Sequence, residues 1–305
     1  MCCGAMTLAD GVVAVLGKGA SLVGVSVGLP SVSVVIPALN EARNIPHVFE
    51  RIPEDVHQVV LVDGRSVDDT VAVARRLRPD VCVVSQTRKG KGNALACGFE
   101  AATGDVIAMV DADGSADPGE IPQFVAALVD GADFAKGTRF RPGGGSADIT
   151  RLRAYGNHAL TSFFNVAYHR RYSDLCYGYN VFWRRHLGVL GLDATSLPPA
   201  DGSHLWGDGF EVETLIHVRV AKAGLSVAEV PSFEFKRIHG VSNLNATRDG
   251  LRVVWTIFGE RARSRRQQGH GAPLTAAPTA AVTPAAPATD PQADAAAQSV
   301  KESIG

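Results

Sequence analysis

The sequence predicts an α/β fold built on a mostly parallel sheet, with helices on both faces and a single domain. Three observations carry this. Short, continuously apolar runs rich in Val and Ile recur from residue 32 onward. Helix-length segments separate them, as a parallel sheet requires. Most of these runs end in Pro, Gly or acidic residues, and in such sheets ligands bind beyond the carboxyl ends of the strands.

The elements follow in order. Val32–Ile36 is the first strand, ended by Pro37. Asn44–Arg51 reads as a helix, Val59–Val62 as a strand and 67–78 as a helix. Val81–Ser85 is the third strand, followed by a helix over Asn93–Ala101. Val106–Val110 is the fourth strand and runs directly into Asp111. Beyond it, Ala132–Lys136 and Leu225–Val230 read as strands, and 151–168 and about 210–223 as helices. Residues 141–150 (RPGGGSADIT) read as a mobile loop. The last helix covers 247–262, where Leu251, Val254, Trp255 and Phe258 recur at three- and four-residue spacing.

The ends of the chain read differently. Residues 1–30 contain an apolar run (11–29) that Lys18 and several glycines interrupt, and Asp10 precedes it. It is expected to be a loosely ordered extension, neither a secretory signal nor a membrane span. Residues 267–305 are rich in Ala and Pro and lack aromatics, which predicts a disordered tail. The folded part is then 31–266.

Composition excludes several function classes. A net charge of −1 argues against a general nucleic-acid binder, which carries a basic excess. The five cysteines are an odd number without a C-x-x-C pair, so neither a disulfide framework nor a structural zinc site is expected. That usage fits a cytoplasmic protein, with peripheral membrane contact through the arginine-rich last helix as the functional alternative to simple packing.

Four strand ends carry the polar groups: Pro37 to Glu41, Asp63 to Asp69, Arg88 to Asn93, and Asp111 to Ser115. Asp111 and Asp113 stand two residues apart just past a strand. Paired hard oxygen ligands suit Mg²⁺ or Mn²⁺ bridging a diphosphate. The segment 88–92 (RKGKG) supplies opposite charge and close backbone approach ahead of a helix N-terminus. Among the acidic residues after the second strand, Asp63 is assigned to ligand contact, and Asp68 or Asp69 to helix capping. No P-loop pattern occurs, and no dinucleotide glycine fingerprint follows the first strand.

The set VSVVIPALNE, LVDGRSVDDT, RKGKGNAL, MVDADGS and GTRF resembles family 2 glycosyltransferases of the GT-A (Rossmann-like) fold. Later stretches (DLCYGYNVFWRR at 174–185, GDGFEVE at 207–213, AEVPSFEFKRIHGVSN at 228–243) are most similar to the polyprenyl- and dolichyl-phosphate branch. The resemblance implies a metal-dependent inverting transfer from a nucleotide-diphosphate sugar. The acceptor would be a polyprenyl phosphate or a soluble hydroxyl compound, and a non-catalytic nucleotide-sugar-binding module is the remaining alternative. By motif, Pro37, Glu41 and Asp63 would hold the nucleoside, and Asp111 and Asp113 the metal and diphosphate. Lys91 would lie near the phosphates, and Arg139 beside the donor sugar. Glu213 matches the family's motif carboxylate. Arg237 and Ser242 match a phosphate-facing stretch. Asp208 stands where other family 2 enzymes carry a general base, and is expected to be that base for a hydroxyl acceptor. His239 is a further site candidate, with a purely structural role as the competing reading. Gly64, Arg65 and Asn243 depart from the family pattern.

Overall fold

A computed structural model describes residues 28–200, 205–240 and 246–269, together with two short N-terminal strands, Met6–Thr7 and Val13–Ala14. Side chains of the last helix are described for residues 250–262. The compact unit ends at Ser264. Most of the predicted N-terminal extension, nearly all of the predicted tail, and Ser242 lie outside the described residues.

Strands β1 (Val32–Ala38), β2 (Gln58–Asp63), β3 (Cys82–Ser85) and β4 (Val106–Met109) alternate with helices α1 (Ile45–Glu50), α2 (Thr70–Leu77) and α3 (Lys91–Ala101). Helix α4 (Ile121–Val129) and strand β5 (Phe134–Thr138) follow. Next come β6 (Gly145–Ser146), α5 (Arg151–Tyr168) and β7 (Asn180–Trp183). Helix α6 (Val212–Lys222), strands β8 (Val227–Pro231) and β9 (Phe233–Glu234) and helix α7 (Ala246–Gly269) complete the chain. The seven-stranded sheet has the order β8-β5-β7-β4-β1-β2-β3. Every pairing in it is parallel except those of β7, which runs antiparallel to both β4 and β5.

Side-chain alternation explains why these runs are apolar throughout. Val34 and Ile36 of β1 and Leu61 of β2 face one core, packed with Ile45, Val48, Phe124 and Leu128 from α1 and α4. Val35 and Val60 face the other core, with Leu95 and Phe99 of α3 and Val212 and Ile216 of α6. Each fully buried aliphatic contributes about 1.5–3 kcal/mol. Helix α3 lies close on the sheet because of Gly98. A Cβ there would fall 2.4 Å from Val35 Cγ1.

The structure corrects the sequence reading in four places. Strand β7 is an addition, and it lies in the middle of the sheet. Its four residues are too short to show a period, and their neighbours rather than their pattern make them a strand. Helix α4 is a second addition, where Pro118 and Pro122 mask a helix start at its first turn. The predicted loop 141–150 contains β6, which pairs with β9 in a small parallel ladder. The last helix continues to Gly269, three residues into the predicted tail, because its Arg and Gln residues are good helix formers. Among the described residues no helix is long and apolar enough to cross a membrane.

His217 is fully buried on α6, edge-on to Phe134 and Tyr172 at 5.8 and 5.9 Å. Neither ring nitrogen has a partner. Burial, and then the nearby Lys136 charge, hold its pKa well below the ordinary value. The unfolded chain therefore takes up the proton first as pH falls. Stability is full above about pH 6.5 and declines below it by up to about 1.4 kcal/mol per pH unit. His217→Leu should flatten that decline. Thermal midpoints of both proteins between about pH 8 and pH 5 test this, and parallel curves would refute it.

Candidate active site

The carboxyl ends of β1, β4 and β5 open onto one cavity of about 900 Å³. Pro37, Glu41, Lys91, Asp111, Asp113, Arg139, Glu213 and Arg237 all border it. Eight of the eleven residues expected from the sequence thus converge on one space, from positions as distant in the chain as Pro37 and Arg237.

Two ion-pair ladders organise its floor. Lys91, the first residue of α3, places Nζ 2.6 Å from Asp111 and 2.7 Å from Glu213. Burial disfavours its charge, but Asp111 and then Glu213 outweigh this and raise its pKa. Lys91 is therefore a permanent cation. Across the cavity, Arg237 pairs with Glu41 at 2.9 Å and with Asp113 at 3.4 Å. Asp113 also accepts the Ser115 N–H at 2.9 Å, which shapes the turn. The stretch carrying Arg237 is fastened over that turn. Ile238 N–H donates to the Asp113 carbonyl, and Phe235 N–H to that of Ser115. Gly114 has φ +77°, and a Cβ there would meet the Ile238 side chain at 2.7 Å. Asn44 joins the ladder to α1. Its amide donates to Glu41 at 2.5 Å and exchanges bonds with the His239 backbone. His239 serves through its backbone, and its ring packs 5.7 Å from His47.

Arg139 is buried between two carboxylates. It makes a two-bond fork with Asp174 at 2.7 and 2.9 Å and reaches Glu234 at 3.0 Å. Burial opposes its charge, yet Asp174 and then Glu234 raise its pKa. Both partners lie within the stretches quoted above, but spacing alone did not single them out. A buried arginine implies buried carboxylates, and that was the available signal.

Asp208 departs from expectation. It does not border the cavity. It is buried, and its carboxylate receives Arg88 Nε at 2.8 Å and Nη2 at 2.9 Å. Arg88 also donates to the carbonyls of Ser196 and Asp193. Geometrically Asp208 is a structural counter-ion, because a general base must reach the acceptor. Arg88 is correspondingly withdrawn from phosphate binding. The pair clamps the 205–211 loop to the start of α3, where Gly92 N–H donates to the Asp208 carbonyl at 2.8 Å. A Cβ at Gly92 would meet the Gly207 carbonyl oxygen at 1.7 Å. Gly90, at φ +118°, is equally closed by the Asp208 carbonyl.

Asp63 is also turned inward. It accepts the backbone N–H groups of Arg65 and Ser66 at 3.2 Å each, and Gly64 and Gln86 border the cavity in its place. Asp68 accepts the Thr70 N–H at the start of the next helix, whose N-cap residue, Asp69, makes no side-chain capping bond. Among the described residues no three acidic, His or Cys side chains cluster as a ready metal cage. Two carboxylates plus substrate phosphates are, however, the usual Mg²⁺ donor set, so Asp111 and Asp113 fit such an ion chemically.

The sequence model described as Glycosyl transferase family 2 matches residues 33–189. An uncharacterized glycosyltransferase of Mycobacterium tuberculosis is 44% identical over 109 residues, covering 36% of this chain and 49% of the relative. This chain thus spans about half that relative's length. Polyprenol monophosphomannose synthase of Mycolicibacterium smegmatis is 30% identical over 246 residues, covering 76% of this chain and 89% of the relative. A solved glucosyl-3-phosphoglycerate synthase of Mycobacterium tuberculosis, in complex with Mn²⁺, UDP and glucosyl-3-phosphoglycerate, shares the fold. Its TM-score is 0.54 at 24% identity, with 77% of this chain and 80% of that one covered. The GT-A architecture, the family model and the full-length relative agree: the chain belongs to glycosyl transferase family 2.

Proposed function

We propose that the enzyme transfers a sugar from a nucleotide-diphosphate sugar to a polyprenyl phosphate, at the cytoplasmic face of a membrane. The observation that carries this reading is the burial of Asp208 against Arg88. A hydroxyl acceptor needs a base within hydrogen-bond reach, and the expected one is occupied. A phosphate acceptor is already anionic and needs none. The name of the polyprenol monophosphomannose synthase supports the same acceptor class.

The cavity has the matching character. One end is ionic, as described. The other is bordered by Ile149, Leu152 and Leu160 beside α5, and by Val253 of α7. Leu152 is also exposed at its rim, and outside it Tyr155, Leu251, Trp255 and Phe258 are exposed. Exposed aromatic and aliphatic residues on an arginine-rich helix suit the surface of an anionic membrane. Arg261 is partly committed to the fold, donating to the Ala167 carbonyl.

The residues divide the chemistry. The acceptor oxygen forms a bond to the anomeric carbon as the bond to the diphosphate breaks, which inverts that carbon. Lys91 and Arg237 would pair with the diphosphate as its charge grows. Arg139, held by Asp174 and Glu234, would orient the sugar. Pro37, Glu41 and Gly64 would border the nucleoside. Asp111 and Asp113 would hold Mg²⁺ or Mn²⁺, which supplies Lewis-acid stabilisation of the leaving group.

Four outcomes test this. A panel of nucleotide sugars, offered with polyprenyl phosphate and with soluble hydroxyl acceptors and read by product mass, should give a glycosyl-phosphoryl lipid. Asp113→Asn should lower that turnover by about a hundredfold or more, and a glycosylated hydroxyl product alone would overturn the acceptor. Asp208→Asn should destabilise the fold by about 3–5 kcal/mol, because Arg88 is left buried without its partner. It should leave the pH dependence of kcat unchanged, whereas a missing acidic limb would restore the base role. Trp255→Ser with Leu251→Ser should weaken sedimentation with anionic vesicles while kcat on a detergent-dispersed short-chain acceptor persists. Unchanged sedimentation would remove the membrane face.

A further inference from the structure

Both carboxylates assigned to the cation already have protein cations. Asp111 lies 2.6 Å from Lys91, and Asp113 lies 3.4 Å from Arg237. Each of these cations also holds a second carboxylate, Glu213 at 2.7 Å and Glu41 at 2.9 Å. Four carboxylates against two cations leave two negative charges, which one divalent ion balances. A metal arriving alone must compete with Lys91 and Arg237 for its own ligands, in a cleft where charge pairs are stronger than in water.

We propose that Lys91 and Arg237 are resident guards of the metal pair, so that a divalent cation loads efficiently only together with a nucleoside diphosphate. The phosphate oxygens draw both cations away from Asp111 and Asp113, and the freed carboxylates take the metal. Glu213 and Glu41 keep hold of Lys91 and Arg237 while they turn, so neither cation becomes an isolated charge. Lys91 sits at the start of α3, where Gly90 and Gly92 leave no side chain in its way. The inference rests on the reading that Asp111 and Asp113 hold the cation, and it adds that two lysine and arginine side chains set the order of loading.

The test is Mn²⁺ affinity, read by the electron paramagnetic resonance of free Mn²⁺. It is measured alone and with each of UDP, GDP, ADP and CDP. Lys91→Met should bind Mn²⁺ alone about tenfold tighter than the native protein, a modest share of one close charge pair. The gain that the best nucleotide confers should shrink correspondingly. Arg237→Met, at a more exposed position, should act in the same direction and stands in if Lys91→Met melts early. Lys236→Met is the control. Lys236 borders the same cavity, and its loss removes a positive charge without freeing either carboxylate. A merely phosphate-binding Lys91 would lower nucleotide affinity and leave Mn²⁺ affinity alone unmoved. That result, or an equal gain in Lys236→Met, overturns the guard. A native protein that binds no Mn²⁺ with any nucleotide overturns the metal assignment beneath it.

Discussion

Arg88 and Asp208 stand 120 positions apart and are both almost without solvent contact. Desolvating two such charges costs several kcal/mol per ion, which only close geometry and further hydrogen bonds offset. Here the geometry is a two-bond fork, and the remaining guanidinium hydrogens reach backbone carbonyls of Asp193 and Ser196. The consequence is positional. The pair fixes the 205–211 loop against Gly90 and Gly92, and so fixes where α3 begins. Lys91 is the first residue of that helix and Glu213 lies at the start of α6. Their contact, and through it the contact with Asp111, depends on a clamp that itself never faces the cavity.

The sheet explains why the clamp suffices. In parallel pairing every strand of β1 to β4 ends on the same edge, so Pro37, Asp63 and Asp111 are delivered to one rim by register alone. Strand β7 reverses direction between β4 and β5, so its N-terminal side shares that rim. Gly178 and Tyr179 immediately precede β7's pairing and border the cavity, and Asp174 holds Arg139 just before them. One antiparallel strand thereby adds a second bank of side chains opposite the first.

The rim was legible because its signals are local. A continuous apolar run followed by Asp-Ala-Asp or Pro-Ala-Leu-Asn-Glu identifies a strand end within about ten residues, and the parallel rule does the rest. Who pairs with whom was not legible. Asp208 and Asp113 are both acidic residues beside glycine, and nothing in the sequence separates a buried counter-ion from a cavity carboxylate. The difference comes from Arg88, which is distant in the chain and whose own neighbours include Asp193, outside every motif. Asp63 shows the same limit at short range. Its carboxylate closes a turn with Arg65 and Ser66, and Arg65 adopts φ +67° where the family pattern has glycine. That loop conformation is a backbone property that a motif of side chains does not report.

The near-neutral composition has the same origin. A charge of −1 over the whole chain conceals a cavity in which Glu41, Asp111, Asp113 and Glu213 outnumber Lys91 and Arg237. Were the carboxylates unpaired, their mutual repulsion would destabilise the cleft. Were the cations in excess, diphosphate would bind without metal and product would leave slowly. Paired ladders with a small negative remainder avoid both. They balance most of the cleft's charge, and on the proposed loading they leave room for one divalent charge when a diphosphate takes over the cations. On the proposed loading order, the ion pairs that hold the unliganded site are the same groups that exchange partners when the ligands bind.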